Sequence, residues 1–201
     1  MTKPNRRQRK TLLVVGEGDC EYAFLKHLRN MYCSDGAGVN VTIRNAQGGG
    51  PDSIVNQVLR HIRLASFDKQ IALLDTDIAW SDSLKKIAKK NKVEMVGLRP
   101  CLEGLLLSVL SKPVPQNSAE CKRNLQSHTK ADVTDWRDYE PHFSQEAFEQ
   151  ARKIMTELDK LLKHFEWAIS SHSFEGGIFH RPRFQWPLAR LTNTHQISGH
   201  F

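Results

Sequence analysis

Five acidic residues stand where chemistry could use them. Glu17 and Glu21 lie four positions apart in "VVGEGDCEYAFL", Asp75 and Asp77 form a DxD in "LLDTD", and Glu103 lies in "RPCLEG", each group directly after an apolar run. Carboxylates gathered at a few ångströms repel and raise one another's pKa, a cost that a divalent cation removes. Hard Mg²⁺ or Mn²⁺ takes carboxylate and water oxygens, holds the non-bridging oxygens of phosphates and activates water. The expected chemistry is therefore metal-assisted phosphoryl transfer, with Glu17, Glu21, Asp75, Asp77 and Glu103 as candidate ligands. Each position also has a plain structural use. A glutamate in a strand-to-helix turn is an ordinary surface residue, "DTD" can cap a helix, and acidic first turns are favoured by the helix dipole alone.

The elements that would position these residues follow from hydrophobic period. "TLLVV" (11–15) is a continuous apolar run bounded by glycine, as expected for a strand buried on both faces. Tyr22, Leu25, Leu28 and Tyr32 recur at helical spacing over 19–32. "VNVTIR" (39–44) alternates like a half-buried strand. "GGG" (48–50) breaks the chain before a helix with stripe Ile54, Val58 and Ile62. "QIALLD" (70–75) and "VEMVGL" (93–98) are two more strands, with "SDSLKKIAKKN" a short basic-faced helix between them and "CLEGLLLSVL" (101–110) a buried helix after them. Strands separated by helical stretches of this length imply parallel pairing with right-handed crossovers. In such a sheet ligands collect at the carboxyl ends of the strands, and Glu17 and Asp75/Asp77 fall there. Two residues apart in extended chain, Asp75 and Asp77 would project to the same side.

The fold class expected is α/β: a Rossmann-like parallel sheet over 11–112, preceded by a basic arm (1–10) and followed by a mainly helical extension with an irregular tail (113–201). "SKPVPQNSAE" (111–120) marks the boundary, and Phe148, Ala151, Met155, Leu158, Leu162 and Phe165 predict one amphipathic helix over 144–165.

Length and composition narrow the class further. The 201 residues suffice for one full core, 39% are hydrophobic, and no apolar run nears the roughly 20 residues that cross a bilayer. The apolar run behind the basic N-terminus is too short for a signal peptide, so a soluble, cytoplasmic protein is expected. Cys20, Cys33, Cys101 and Cys121 form no CxxC pair and no HExxH occurs, which points to reduced, buried thiols and away from zinc. The formal charge of +7 favours polyanionic partners. Rival phosphate motifs fail. GxGxxG would need a glycine at Glu21, there is no GxxxxGK[ST], and "GGGP" serves equally as a turn or as a backbone phosphate cradle.

Together, "VVGEGDCEYAFL" and "LLDTD" resemble the Toprim domain of topoisomerases, bacterial primases and related nucleases. "GLRPCLEGLLLSVL" resembles the PCFELW stretch of the RloB-like family, small Toprim proteins found near restriction and phage-defence loci, and "EAFEQARKI" (146–154) sits where that family carries an alanine-rich helix. The resemblance spans most of 11–165. It departs at Gly104, where a bulky residue is usual, in the missing tryptophan, and in the four-residue step from Glu17 to Glu21.

That resemblance implies a Toprim-like fold and a Mg²⁺- or Mn²⁺-dependent nuclease acting on DNA or RNA, with Glu17, Asp75 and Asp77 at the metal and Glu21 and Glu103 matching further family glutamates. Among Lys112, Lys122 and Lys130, it places Lys130 nearest the family's lysine, the candidate catalytic cation. A non-catalytic subunit that binds nucleic acid or a defence partner is the alternative, and primase-like nucleotidyl transfer a weaker third. The nucleic acid would meet Arg6 and Arg7 of the arm, Lys85, Lys86, Lys89 and Lys90 of the basic helix, and Arg181 and Arg183 of the aromatic-rich tail. An ATPase partner and a second copy of the chain are further expected associations, and a membrane is not.

Overall fold

The computed structural model describes residues 10–33 and 40–169. The apolar runs, continuous in the central strands and alternating at the edge, become the four strands β1 (Thr11–Gly16), β2 (Asn40–Asn45), β3 (Lys69–Asp75) and β4 (Val93–Leu98). They pair in parallel in the order β2-β1-β3-β4. Between them run α1 (Asp19–Tyr32), α2 (Gly50–Leu64) and α3 (Asp82–Lys90). After them come α4 (Leu102–Val109), α5 (Ser118–Thr129), a 3₁₀ turn (Trp136–Tyr139), α6 (Gln145–Ala151) and α7 (Thr156–Ile169). The expected α/β class is the one observed.

The alternation of side chains along each strand divides the core in two. Leu12, Val14, Ile71, Leu73, Val96 and Leu98 face one layer, built with α1, α4, α5, α6 and α7. Leu13, Val15, Ala72 and Leu74 face the other, built with α2 and α3. Central β1 is therefore apolar at every position from Leu12 to Val15, all fully buried, whereas edge strand β2 buries only Val41 and Ile43. Because α1 and α2 cover opposite faces, the chain reverses direction across the sheet between β1 and β3, which opens a crevice at their carboxyl ends.

Two stretches depart from the expectation. The helix predicted over 144–165 is broken at 152–155 into α6 and α7. The seam still faces the core at Phe148, Ala151, Leu158, Leu162 and Phe165, and only Met155 is partly buried, because the turn preserves the four-residue step that periodicity sees. Arg152 fixes the corner. Its guanidinium bonds Asp159 (3.0 Å), Glu149 (3.3 Å) and Glu166, while the Tyr32 hydroxyl donates to Glu149 (2.9 Å). The second is α5, which begins within the stretch 111–120 that marks the boundary and which hydrophobic period does not single out. Asn117 caps it by accepting the Glu120 N–H at 3.0 Å.

An aromatic group pins the helices after α4 to α1: Phe24, His27, Tyr139, Phe143 and Phe148 pack with ring centroids 5.5–6.3 Å apart. His27 Nε2 lies 2.8 Å from the Phe143 carbonyl, and burial lowers its pKa, so it donates there as a neutral imidazole. His164 of α7 reaches Glu94 of β4 at 2.9 Å. Of the four thiols, Cys101 and Cys121 are buried and Cys20 and Cys33 half-buried. No helix among the described residues is long and apolar enough to cross a membrane. The arm residues Arg6 and Arg7 and the tail residues Arg181 and Arg183 lie outside the described residues.

Phe165 of α7 is fully buried in the layer that also covers β1, so Phe165→Ala should cost about 3–5 kcal/mol. Chemical denaturation should show one transition moved as a whole; a separate early transition for the last helices, with the sheet unmoved, would contradict a shared core.

Candidate active site at the carboxyl edge of the sheet

Glycines let the strand ends close on one another. β1 ends at Gly16, where an added Cβ would stand 2.5 Å from Glu21 Cβ, so only glycine lets Glu21 fold back over the strand end. There Glu21 is buried and its Oε2 accepts the Gly18 N–H at 2.8 Å, closing the turn into α1. Glu17, half-buried between the two glycines, accepts the Gly48 N–H on its carbonyl at 2.9 Å. Gly48, Gly49 and Gly50 all take positive φ (81°, 91° and 70°), a run that side chains would oppose, and so bring the loop before α2 against Glu17.

At the end of β3 the Asp75 carbonyl accepts Trp80 Nε1–H at 3.1 Å. Its carboxyl Oδ1 is buried with no hydrogen-bond partner. The strand stops at Asp75, and Thr76 to Ile78 bend away, so the extended spacing expected to carry Asp75 and Asp77 to one side is not the local geometry. The bend is held across β4: the Thr76 N–H donates to the Leu98 and Pro100 carbonyls at 3.0 Å, and the Asp77 N–H to Pro100 at 3.1 Å. Asp77 is exposed, and its Oδ2 accepts Ser118 Oγ–H of α5 at 2.7 Å. Glu103 is buried in the first turn of α4. Next to it a Cβ on Gly104 would meet Pro100 Cδ at 2.6 Å and the Arg99 carbonyl at 2.9 Å, which accounts for the small residue there.

Electrostatics tie these groups together. Burial, then Glu21, Glu103, Asp77 and Glu17, raises the Asp75 pKa to about 8. Burial also raises Glu21, outweighing its two backbone hydrogen bonds, with Glu103 and Glu17 adding to the shift. Asp75 thus feels the other four sequence-nominated carboxylates, and among the described residues none of the five forms an ion pair. Among the described residues no three of the His, Cys, Asp and Glu side chains stand in an arrangement that would hold a metal ion as they lie. The oxygen-only donor set suits Mg²⁺ or Mn²⁺, and the unpartnered Asp75 Oδ1 is the atom that lacks a counterpart.

A cation coupled to this edge is on α5. Glu103 raises the Lys122 pKa, and Lys122 and Lys130 line one cavity with Glu103 and Cys20. Lys122, one of three lysines considered from sequence, is thus the one coupled to the acidic group, and Lys130 shares its cavity at the left-handed end of the helix (φ 55°). Ser118 was not anticipated, although Asn117 and Glu120 carry the spacing of a helix cap. Lys85, Lys86, Lys89 and Lys90 are exposed on α3, in the opposite layer.

No family model, no curated protein and no solved structure matches this chain.

The buried carboxyl yields a prediction about stability. Between its ordinary value of 3.8 and about 8 the folded chain keeps a proton that the unfolded chain has lost, so the stability due to Asp75 falls as pH rises through that window. In EDTA, Asp75→Asn should raise the melting temperature over the parent by a margin that grows from pH 4 to 8 and is flat above. Adding Mn²⁺ at pH 8 should narrow the margin by stabilising the parent alone. A margin independent of both pH and Mn²⁺ would mean that Asp75 feels neither neighbours nor ion.

Proposed function

We propose that this chain is a divalent-metal-dependent phosphodiesterase that cleaves DNA or RNA. The observation that carries it is Asp75: a carboxyl with its pKa pushed up by burial and four acidic neighbours, in the crevice between β1 and β3, with one oxygen lacking any partner. Strongly perturbed groups at a switch-point crevice are candidates for chemistry. The resemblance of "VVGEGDCEYAFL" and "LLDTD" to the Toprim domain, and of the Glu103 stretch to RloB-like proteins, supplies the substrate class and a place in phage defence.

Glu17, Asp75 and Asp77 would hold Mg²⁺ or Mn²⁺, with Glu21 and Glu103 in reach of the same charge. When bound, such an ion offsets the carboxylates and supplies Lewis acidity toward a phosphate. The chain's own part is to hold the acidic edge in place through Gly16, Ser118 and the Thr76 bend, and to present Lys122 and Lys130 to the phosphate charge.

A second reading, a binding subunit without turnover, is favoured by the structural partners that Glu21 and Asp77 already have in Gly18 and Ser118. The two separate on one comparison. With Mn²⁺, plasmid DNA and single-stranded RNA should be nicked or cut by the parent chain, and Asp75→Ala should lose at least about 100-fold of that rate, the scale of one removed electrostatic contact. Equal rates in parent and variant would remove the phosphodiesterase; tight nucleic-acid binding with no cutting under any divalent ion would select the binding subunit.

A further inference from the structure

Beside the acidic edge, a cavity of about 680 Å³ opens between the start of α1, α4 and α5. Its volume lies within the roughly 300–1,000 Å³ of small-ligand sites. Its lining combines apolar and charged residues. Cys20, Leu125 and Val133 form an apolar wall, and the Tyr139 hydroxyl braces that wall from behind by donating to the Val133 carbonyl at 3.0 Å. Cys20 presents a half-buried thiol to that wall. Lys122, Arg123 and Gln126 of α5, and Lys130 at its C-cap, line the same cavity and supply its charged and polar groups. Glu103, the deepest of the five clustered carboxylates, lies in the same lining.

We propose that this cavity takes one unstacked nucleotide of a single strand or strand end, its base against Cys20, Leu125 and Val133 and its phosphates along Lys122 and Lys130. The assignment rests on the phosphodiesterase reading and names its substrate. A base inside a duplex cannot enter a recess of this kind without being flipped out, which costs a few kcal/mol, least for a strand already single. Among the described residues no aromatic side chain lines the cavity, so the base would be held there by contact with weak sequence preference. The phosphates meet cations on one rigid helix, beside the carboxylates that would hold the ion.

Fluorescence anisotropy in EDTA, which prevents cutting, tests this with a short labelled oligothymidylate, the same strand annealed to its complement, and the full chain. The single strand should bind at least roughly tenfold tighter than the duplex, which carries the flipping cost. Replacing Lys122 and Lys130 by alanine should flatten the slope of log affinity against log salt by about 0.7 per lysine. Ser127→Trp at the exposed rim and Val133→Trp in the wall should weaken single-strand binding without changing that slope. Arg60→Ala with Arg63→Ala, exposed on α2 in the other layer, is the control. Equal affinity for duplex and single strand overturns the assignment, as does a slope that moves only with the α2 pair. Either result leaves the phosphodiesterase standing if Asp75→Ala still loses cutting, whereas no cutting by the parent removes the reading beneath it.

Discussion

A carboxyl group at the end of a strand covered on both faces has little water to turn to. Asp75 is in that position, and four further carboxylates act on it. Placing a charge there costs free energy unless a proton or a cation offsets it. The rest of the carboxyl edge is arranged around that cost. Glu21 is relieved by the Gly18 N–H, Asp77 stands in solvent with Ser118 as donor, and Glu17 is half-exposed. Asp75 Oδ1 alone of this group is buried without a partner, in a protein whose described residues otherwise leave only His164 Nδ1 in that state.

Topology and close packing bring the charges together. The crossovers place α1 on one face and α2 on the other, so the loops after β1 and β3 diverge over a crevice. Those loops are nevertheless tightly built. The glycines at which an added Cβ would collide, Gly16 with Glu21, Gly49 with Ser53, Gly97 with Thr76 and Gly104 with Pro100, all lie at this edge. Rigid backbone under a cluster of like charges limits how far the side chains can relax apart, so their repulsion adds to the burial that raises the Asp75 pKa.

Much of this was legible in the chain. Fully apolar "LLVV" and alternating "VTIR" distinguish a central strand from an edge strand, and the four strands and intervening helices fall where hydrophobic period places them. The acidic residues were legible through their positions after strands. Three things were not. The corner at Arg152 keeps a helical step across a break, so period cannot register it; what defines it is a guanidinium reaching Asp159 and Glu166, contacts seven and fourteen residues apart. Helix α5 carries few apolar residues, Cys121 and Leu125 among them, too few for a stripe, and only its Asn117 cap betrays it. The bend at Thr76 depends on the carbonyls of Leu98 and Pro100, which local sequence does not contain.

Helix α5 then links the two halves of the edge. Its first residue bonds Asp77, its fifth is the lysine coupled to Glu103, and its C-cap is the second lysine of the cavity. A polyanion approaching the cavity meets repulsion from the carboxylates as well as attraction from the lysines. Any cation that binds the carboxylates weakens only the first of these. Were a divalent ion and a nucleic acid both to bind this edge, they would therefore favour one another, and because linkage is reciprocal, each would raise the other's affinity by the same factor. An excess of seven positive charges spread evenly over the surface would give no such coupling. Lysines and carboxylates facing one another across one helix length do.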